Sequence, residues 1–236
     1  RMAMNKIWIG NGQLVLPDKI VPGGSVLLEG KKIAAVNAPC PPDARRVDVD
    51  GSYIMAGFVD IHVHGGGDSD FMDEDASAFS TIAKAHCAHG TTALCPTTMT
   101  CADALLEKTI DLFLEADKEP ENGAELLGLH LEGPYFSAAS KGAQPIGEQC
   151  IPNQEDLERI LQRAKGTILR WDAAPELPNM ELFAKVMAEN GVLASLAHSA
   201  ATAAQAMQAF DWGFSHVTHF YNACTTFHKK NGLVYS

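Results

Sequence analysis

The chain has no apolar run approaching the roughly 20 residues needed to cross a bilayer, so no segment points to a membrane span. Its first residues, RMAMNKIWIG, lack the apolar stretch of a secretory signal. The six cysteines are Cys40, Cys87, Cys95, Cys101, Cys150 and Cys224, and no two form a C-x-x-C pair. That excludes the common structural zinc and dithiol motifs and favours reduced thiols packed as small hydrophobes. Together these absences predict a cytoplasmic protein with no membrane partner. Positive charge is also scarce, with 18 Lys and Arg against 29 Asp and Glu, a formal net charge of −11. No basic run interrupts this balance, so nucleic acid is excluded as a partner. An anionic substrate would need a local positive pocket set against that field.

The chain's 236 residues, 46% of them apolar, can bury a sizeable core. Residues 5–55 read as short β segments (KIWIG, QLVL, SVLLEG, KKIAAV, RVDVDG) separated by Gly, Pro and Asp. They predict a small antiparallel β domain over residues 1–55. From Gly57 the rhythm becomes β then α, repeatedly. FVDIHVH, TTALCPT, ELLGLHLEG, TILRWDAAPE, VLASLAHS and FSHVTHF read as six strands with amphipathic helices between them. That alternation implies βαβ units and a parallel sheet. Residues 56–236 are therefore predicted to form an α/β catalytic domain, a TIM-like (β/α)8 barrel incomplete at about six βα strands.

Chemistry-bearing residues gather at the C-terminal ends of these strands. His62 and His64 end FVDIHVH, Glu132 ends GLHLEG, His198 ends SLAHS and His219 lies in HVTHF. Singly, each reads more readily as a core or turn residue. Together they are candidate metal ligands, because a parallel barrel brings strand ends to one face. His62 and His64 alternate onto the same strand side. Glu132, His198 and His219 make the three-ligand pattern that leaves a water position open. A Glu can also bridge two metals. Imidazole and carboxylate suit Zn and Fe alike, one or two ions per chain. His130 shares the strand side of Glu132 and reads as a supporting residue.

GFVDIHVHGGGDSDFMD, GLHLEGPYF, KGAQ, AAPE, LAHS and THFYNA resemble the N-acetylglucosamine-6-phosphate deacetylases of the amidohydrolase superfamily, from about Lys6 to Leu233. The resemblance implies a metal-dependent hydrolase with a (β/α)8 barrel and a small β-sandwich, of which residues 1–55 supply the N-terminal half. It implies hydrolysis of the acetamide of N-acetylglucosamine 6-phosphate to glucosamine 6-phosphate and acetate, by a homodimer. It implies Glu132, His198 and His219 as the main ligands, with His62 and His64 able to hold a second ion. Ala143, Gln144, Asn222 and Ala223 would contact the substrate. The family's phosphate-binding Arg is replaced in TTFHKKNGL by Lys229 or Lys230, a point charge in place of a fork. Lys230 is taken as the phosphate ligand. The family's catalytic Asp falls beyond residue 236, so the catalytic proton carrier is not identified. Two alternatives stand beside this reading: a cyclic amidohydrolase or deaminase of the same superfamily, and a metal-binding fragment without turnover.

Overall fold

The computed structural model describes residues 6–145 and 150–226. The chain divides into two compact units, Arg1–Gly57 and Phe58–Ser236. The division expected after residue 55 lies two residues before this one.

The first unit is one five-stranded sheet of β1 (Lys6–Val15), β2 (Ile20–Glu29), β3 (Lys32–Val36), β4 (Arg45–Asp48) and β5 (Tyr53–Ile54). KIWIG and QLVL, expected as two strands, form the single strand β1. The polar Asn11-Gly12 pair between them is absorbed as a bulge, with Asn11 at φ 60° and register shifts on either side of Gly12. The sheet is also not wholly antiparallel. β1–β2 and β2–β3 are antiparallel, but β4 and β5 run parallel to β1. The segment 37–44, rich in Pro, carries the chain from β3 to the far side of β1 as a crossover rather than a hairpin. Leu14, Val26 and Ile54 form this unit's small core.

The second unit alternates strand and helix. Its strands are β6 (Phe58–Val63), β7 (Gly65–Gly66), β8 (Ser69–Asp70), β9 (Thr91–Pro96), β10 (Glu125–Leu126), β11 (Leu129–Glu132), β12 (Ile168–Ala173), β13 (Leu193–Leu196) and β14 (His216–Val217). Its helices are α1 (Ala76–Cys87), α2 (Asp103–Glu115), α3 (Gln154–Ala164), α4 (Met180–Glu189) and α5 (Ala203–Trp212). β7 and β8 make a minimal antiparallel hairpin just after β6. ELLGLHLEG, expected as one strand, is two. Gly128, at φ 154°, breaks it, so that β10 pairs with β9 and β11 with β12. A parallel bridge between Thr97 and His130 joins the two pieces. The result is a parallel arc in the order β6–β9–β11–β12–β13–β14, an arc of a (β/α) barrel.

Local sequence places the helix ends. Asp75 and Asn153 accept from backbone N–H groups as N-caps of α1 and α3, and Thr202 with Gln205 forms a capping box on α5. Ile82, Phe79, Ile110, Phe113, Leu157 and Phe183 project from the helices onto Leu94, Leu129, Leu131 and Trp171 of the strands. Each such burial stabilises by about 1.5–3 kcal/mol. On the outside, Arg159 and Arg163 of α3 pair with Asp103, Glu107 and Asp111 of α2. Surface pairs of this kind each contribute about 0–1 kcal/mol. The apolar layer therefore fixes the scaffold, and the strand ends are free to carry polar groups.

Candidate metal centre

Glu132, the last residue of β11, is buried and sits at the centre of four imidazoles. His219 Nε2 is 2.7 Å and His198 Nε2 3.0 Å from its Oε1. His64 Nε2 is 3.1 Å from its Oε2, and His62 Nε2 3.8 Å from its Oε1. Two three-residue groups share this carboxylate: His62–His64–Glu132 and Glu132–His198–His219, each with its donor atoms within 4.8 Å of one another. Donors bound tetrahedrally at about 2.0–2.2 Å from one ion stand roughly 3.3–3.5 Å apart. The spacing is that of an ion's donor set.

The tautomers sharpen this. His64 Nδ1 is 3.1 Å from the Thr97 carbonyl, and His198 Nδ1 is 3.0 Å from the Ser140 carbonyl. A carbonyl only accepts, so both Nδ1 atoms carry protons. The Nε2 atoms of His64 and His198 are thereby turned towards the carboxylate. A lone pair facing a carboxylate at 3 Å is repulsive, so a proton or a cation must lie between. Glu132 Oε2 and His62 Nδ1 are buried without an aligned hydrogen bond. Histidine bound to a carbonyl through one nitrogen, with the other free, is the arrangement of a metal ligand. The residues present fit a divalent metal.

The electrostatics agree. Burial pushes the Glu132 carboxyl up, but His198, His219 and His64 together hold it far below the ordinary carboxylate range. His64 and His219 are raised, chiefly by their bonds to Glu132. His62 is lowered to about 4 by burial, against the pull of Glu132.

Two of the candidate ligands are held in strained backbone. His198 has φ 45° and His219 φ 56°, the left-handed region. Each costs of order 1–3 kcal/mol, and such strain clusters at functional sites. Both lie two residues beyond their strands, β13 and β14, where the chain leaves the ladder and turns. Gly133, at φ 103°, follows Glu132; a Cβ there would stand 2.2 Å from Thr100 Oγ1. Only glycine lets the chain turn this tightly after the carboxylate.

The remaining candidates fall around this centre. Gly142 in KGAQ lies against His198, a Cβ there standing 3.4 Å from His198 Cε1 and 3.7 Å from Ala223 Cβ. Ala143 is exposed beside it. Gln144 is buried, and its Oε1 accepts from the Thr100 N–H at 2.8 Å, so half its amide is committed to the scaffold. Asn222 is exposed, and Ala223 O accepts from Ser199 N–H at 3.1 Å, which seats FYNA beside LAHS. Lys229 and Lys230 lie outside the described residues.

One group was not foreseen. Behind the centre, Arg170 and Asp172 of β12 are buried with His130, Ser195 and Thr218, beside the half-buried His216. Arg170 Nη2 donates to Ile61 O at 2.8 Å and to His130 Nδ1 at 2.7 Å, and its Nη1 reaches His216 Nε2 at 3.4 Å. His130 Nε2 lies 2.9 Å from Asp172 Oδ2. The sequence signal was available in LRWDAA. Arg and Asp at i and i+2 share one side of an otherwise apolar strand.

A parallel βα fold with imidazoles and a shared carboxylate at its strand ends defines a metal-dependent hydrolase scaffold. The chain belongs to the Amidohydrolase family, whose model matches residues 53–229. It is 31% identical over 224 residues to the N-acetylglucosamine-6-phosphate deacetylase of Bacillus subtilis (strain 168), covering 92% of this chain and 56% of that protein. It is 32% identical over 193 residues to the same-named protein of Lysinibacillus sphaericus, covering 79% of this chain and 48% of that one. A Mycobacterium smegmatis N-acetyl-D-glucosamine-6-phosphate deacetylase variant, solved in complex with N-acetyl-D-glucosamine-6-phosphate, superposes with a TM-score of 0.82 at 25% identity. That match covers 97% of this chain and 59% of that structure. The chain thus spans about half the length of the curated relatives it matches.

Proposed function

We propose that this protein is a metal-dependent deacetylase that removes acetate from N-acetylglucosamine 6-phosphate. The observation that carries the reading is the buried Glu132 carboxylate shared by two histidine groups, with the Nε2 atoms of His64 and His198 turned towards it and their Nδ1 atoms held by backbone carbonyls. The similar proteins named above supply the substrate class. Glu132, His198 and His219 would hold one divalent ion, Zn or Fe, and His62 and His64, with Glu132 in reach of both groups, would hold a second. Such an ion, when bound, polarises a carbonyl oxygen and lowers the pKa of water to about 7.

The chain's own residues do the rest. The Thr97 and Ser140 carbonyls fix the ring orientations of His64 and His198. The left-handed turns at His198 and His219 aim both rings at Glu132. Gly142, at φ 57°, carries the KGAQ segment past His198 within van der Waals reach of its ring. Ala143, Gln144 (through its amide nitrogen), Asn222 and Ala223 contact the sugar. Lys230 takes the phosphate and supplies the positive charge that a net charge of −11 makes necessary. We further propose a cytoplasmic homodimer. Among the described residues no helix is long and apolar enough to cross a membrane.

The test is acetate release from N-acetylglucosamine 6-phosphate by the protein stripped of metal and reloaded with Zn or Fe. Metal-dependent release is expected. Ring opening of a cyclic amide without acetate release would favour the cyclic-amidohydrolase alternative. Tight metal binding with no turnover of either substrate would favour a metal-binding fragment.

A further inference from the structure

We propose that Arg170 is a positioning residue for the His62–His64 half of the metal centre, acting through the backbone of His62. The inference rests on the metal reading above. Three observations carry it.

The first is what holds the backbone of His62. Among the described residues β6 pairs with β9, and their register is interrupted between Asp60 and Val63. The peptide joining Ile61 to His62 falls in that gap. Its carbonyl accepts from Arg170 Nη2 at 2.8 Å, and its N–H donates to Asp60 Oδ1 at 3.1 Å. Both polar groups of the peptide that carries His62 are therefore fixed by side chains, one of them from β12 across the interior. By contrast, Glu132 is in ladder register with Asp172, and His198 is fixed by Ser140 O through its ring and by the Ser137 N–H at its carbonyl. Arg170 donates to neither.

The second is that Arg170 sets the ring packed against His62. An arginine only donates, so His130 Nδ1 accepts and its proton lies on Nε2, facing Asp172. The guanidinium fixes one side of His130, and on the other its Nε2 stands 2.9 Å from Asp172 Oδ2 without an aligned hydrogen bond. Its ring meets the His62 ring edge-on, with centroids 4.9 Å apart. The His219 ring flanks His62 at 4.7 Å.

The third is that the network runs one way. Arg170 reaches His216 Nε2, so His216 donates from Nδ1 to Ser195 Oγ at 2.9 Å. Ser195 donates to Thr218 Oγ1 at 2.8 Å, and Thr218 to Asp172 Oδ1 at 2.9 Å. Arg170 and Asp172 are thus joined by a hydrogen-bonded relay through His216, Ser195 and Thr218, and are only loosely face to face, Nε to Oδ1 being 3.9 Å. A buried charge pair is seldom retained for stability, because desolvation cancels much of its attraction. Here its geometry spends the guanidinium on a backbone carbonyl and two imidazoles beside the metal centre.

The experiment is Zn²⁺ binding to the metal-stripped protein by equilibrium dialysis, with thermal melts to check folding. The chains compared are wild type, Arg170→Met, Arg170→Met/Asp172→Asn and Arg170→Lys. The double variant leaves no unpaired buried charge. Arg170→Lys keeps the charge but cannot bridge Ile61 O and His130 together, and it decides the matter if the Met variants do not fold. We expect two ions in wild type. In each folded variant one ion should remain at wild-type affinity while the other weakens at least about tenfold, the size of effect a supporting residue has. Adding His198→Ala to Arg170→Lys should remove all tight binding. Both ions held at wild-type affinity would overturn the proposal, and so would equal weakening of both, which is general loosening. A wild type that binds one ion overturns it while sparing the metal reading; one that binds none overturns both.

Discussion

Replacing Glu132 with Gln tests the whole centre at once, because this carboxylate belongs to both ligand groups. A full zinc ligand set supplies roughly 10–16 kcal/mol, or about 3 kcal/mol per ligand. Losing the charged member should therefore weaken each ion by more than about 100-fold. Metal analysis after dialysis at micromolar Zn should find close to none bound. The same variant has a second signature in the metal-free protein. At pH 6, His64 and His219 are protonated and give Glu132 two charge-assisted bonds. Each is worth about 1.5–3 kcal/mol, so the substitution should cost about 3–6 kcal/mol in urea unfolding. At higher pH, above the raised values of His64 and His219, the imidazoles are neutral and face the carboxylate with lone pairs. Gln can donate to one of them, so the cost should shrink towards zero. Unchanged metal content in Glu132→Gln, or a stability loss equal at the two pH values, would refute the reasoning.

Three further outcomes are expected. The metal-free protein should be most stable near pH 6.5. His64 and His219, raised in the fold, contribute stability below their unfolded value that is lost as pH rises through their folded values. His62, lowered to about 4, contributes stability above its unfolded value that is lost as pH falls. Saturating Zn should abolish the upper limb, and a melting temperature flat from pH 6 to 9 without metal would contradict this. Gly133→Ala should cost about 2–4 kcal/mol, from the forced contact with Thr100 and from φ 103°; calorimetry showing a wild-type melting temperature would mean the turn relaxes freely. Lys230→Ala should raise KM for N-acetylglucosamine 6-phosphate far more than for the unphosphorylated sugar; equal effects on both would remove Lys230 from phosphate binding.

Much of the scaffold was legible because helix and strand periods are local. The caps at Asp75, Asn153 and Thr202 and the apolar faces of α1 to α5 follow from neighbours a few residues apart. Strand pairing was less legible. Nothing local says that β4 returns parallel to β1, because that depends on the path of the segment 37–44. Likewise Gly128 alone hints that ELLGLHLEG divides between two neighbours.

For the centre, the sequence alone determined the candidate ligand types and their places: His at 62, 64, 198 and 219 and Glu at 132, each at or just past a strand end. Parallel βα order then requires those ends to share one face. Tertiary structure decided what joins them. It made Glu132 the shared carboxylate, turned Nε2 of His64 and His198 towards it by placing the Thr97 and Ser140 carbonyls at their Nδ1 atoms, and held His198 and His219 in left-handed turns. It also brought Arg170 from β12 to the Ile61 carbonyl, 109 residues away along the chain. Hydrogen-bond direction and tautomer depend on partners distant in sequence, so no reading of spacing could supply them.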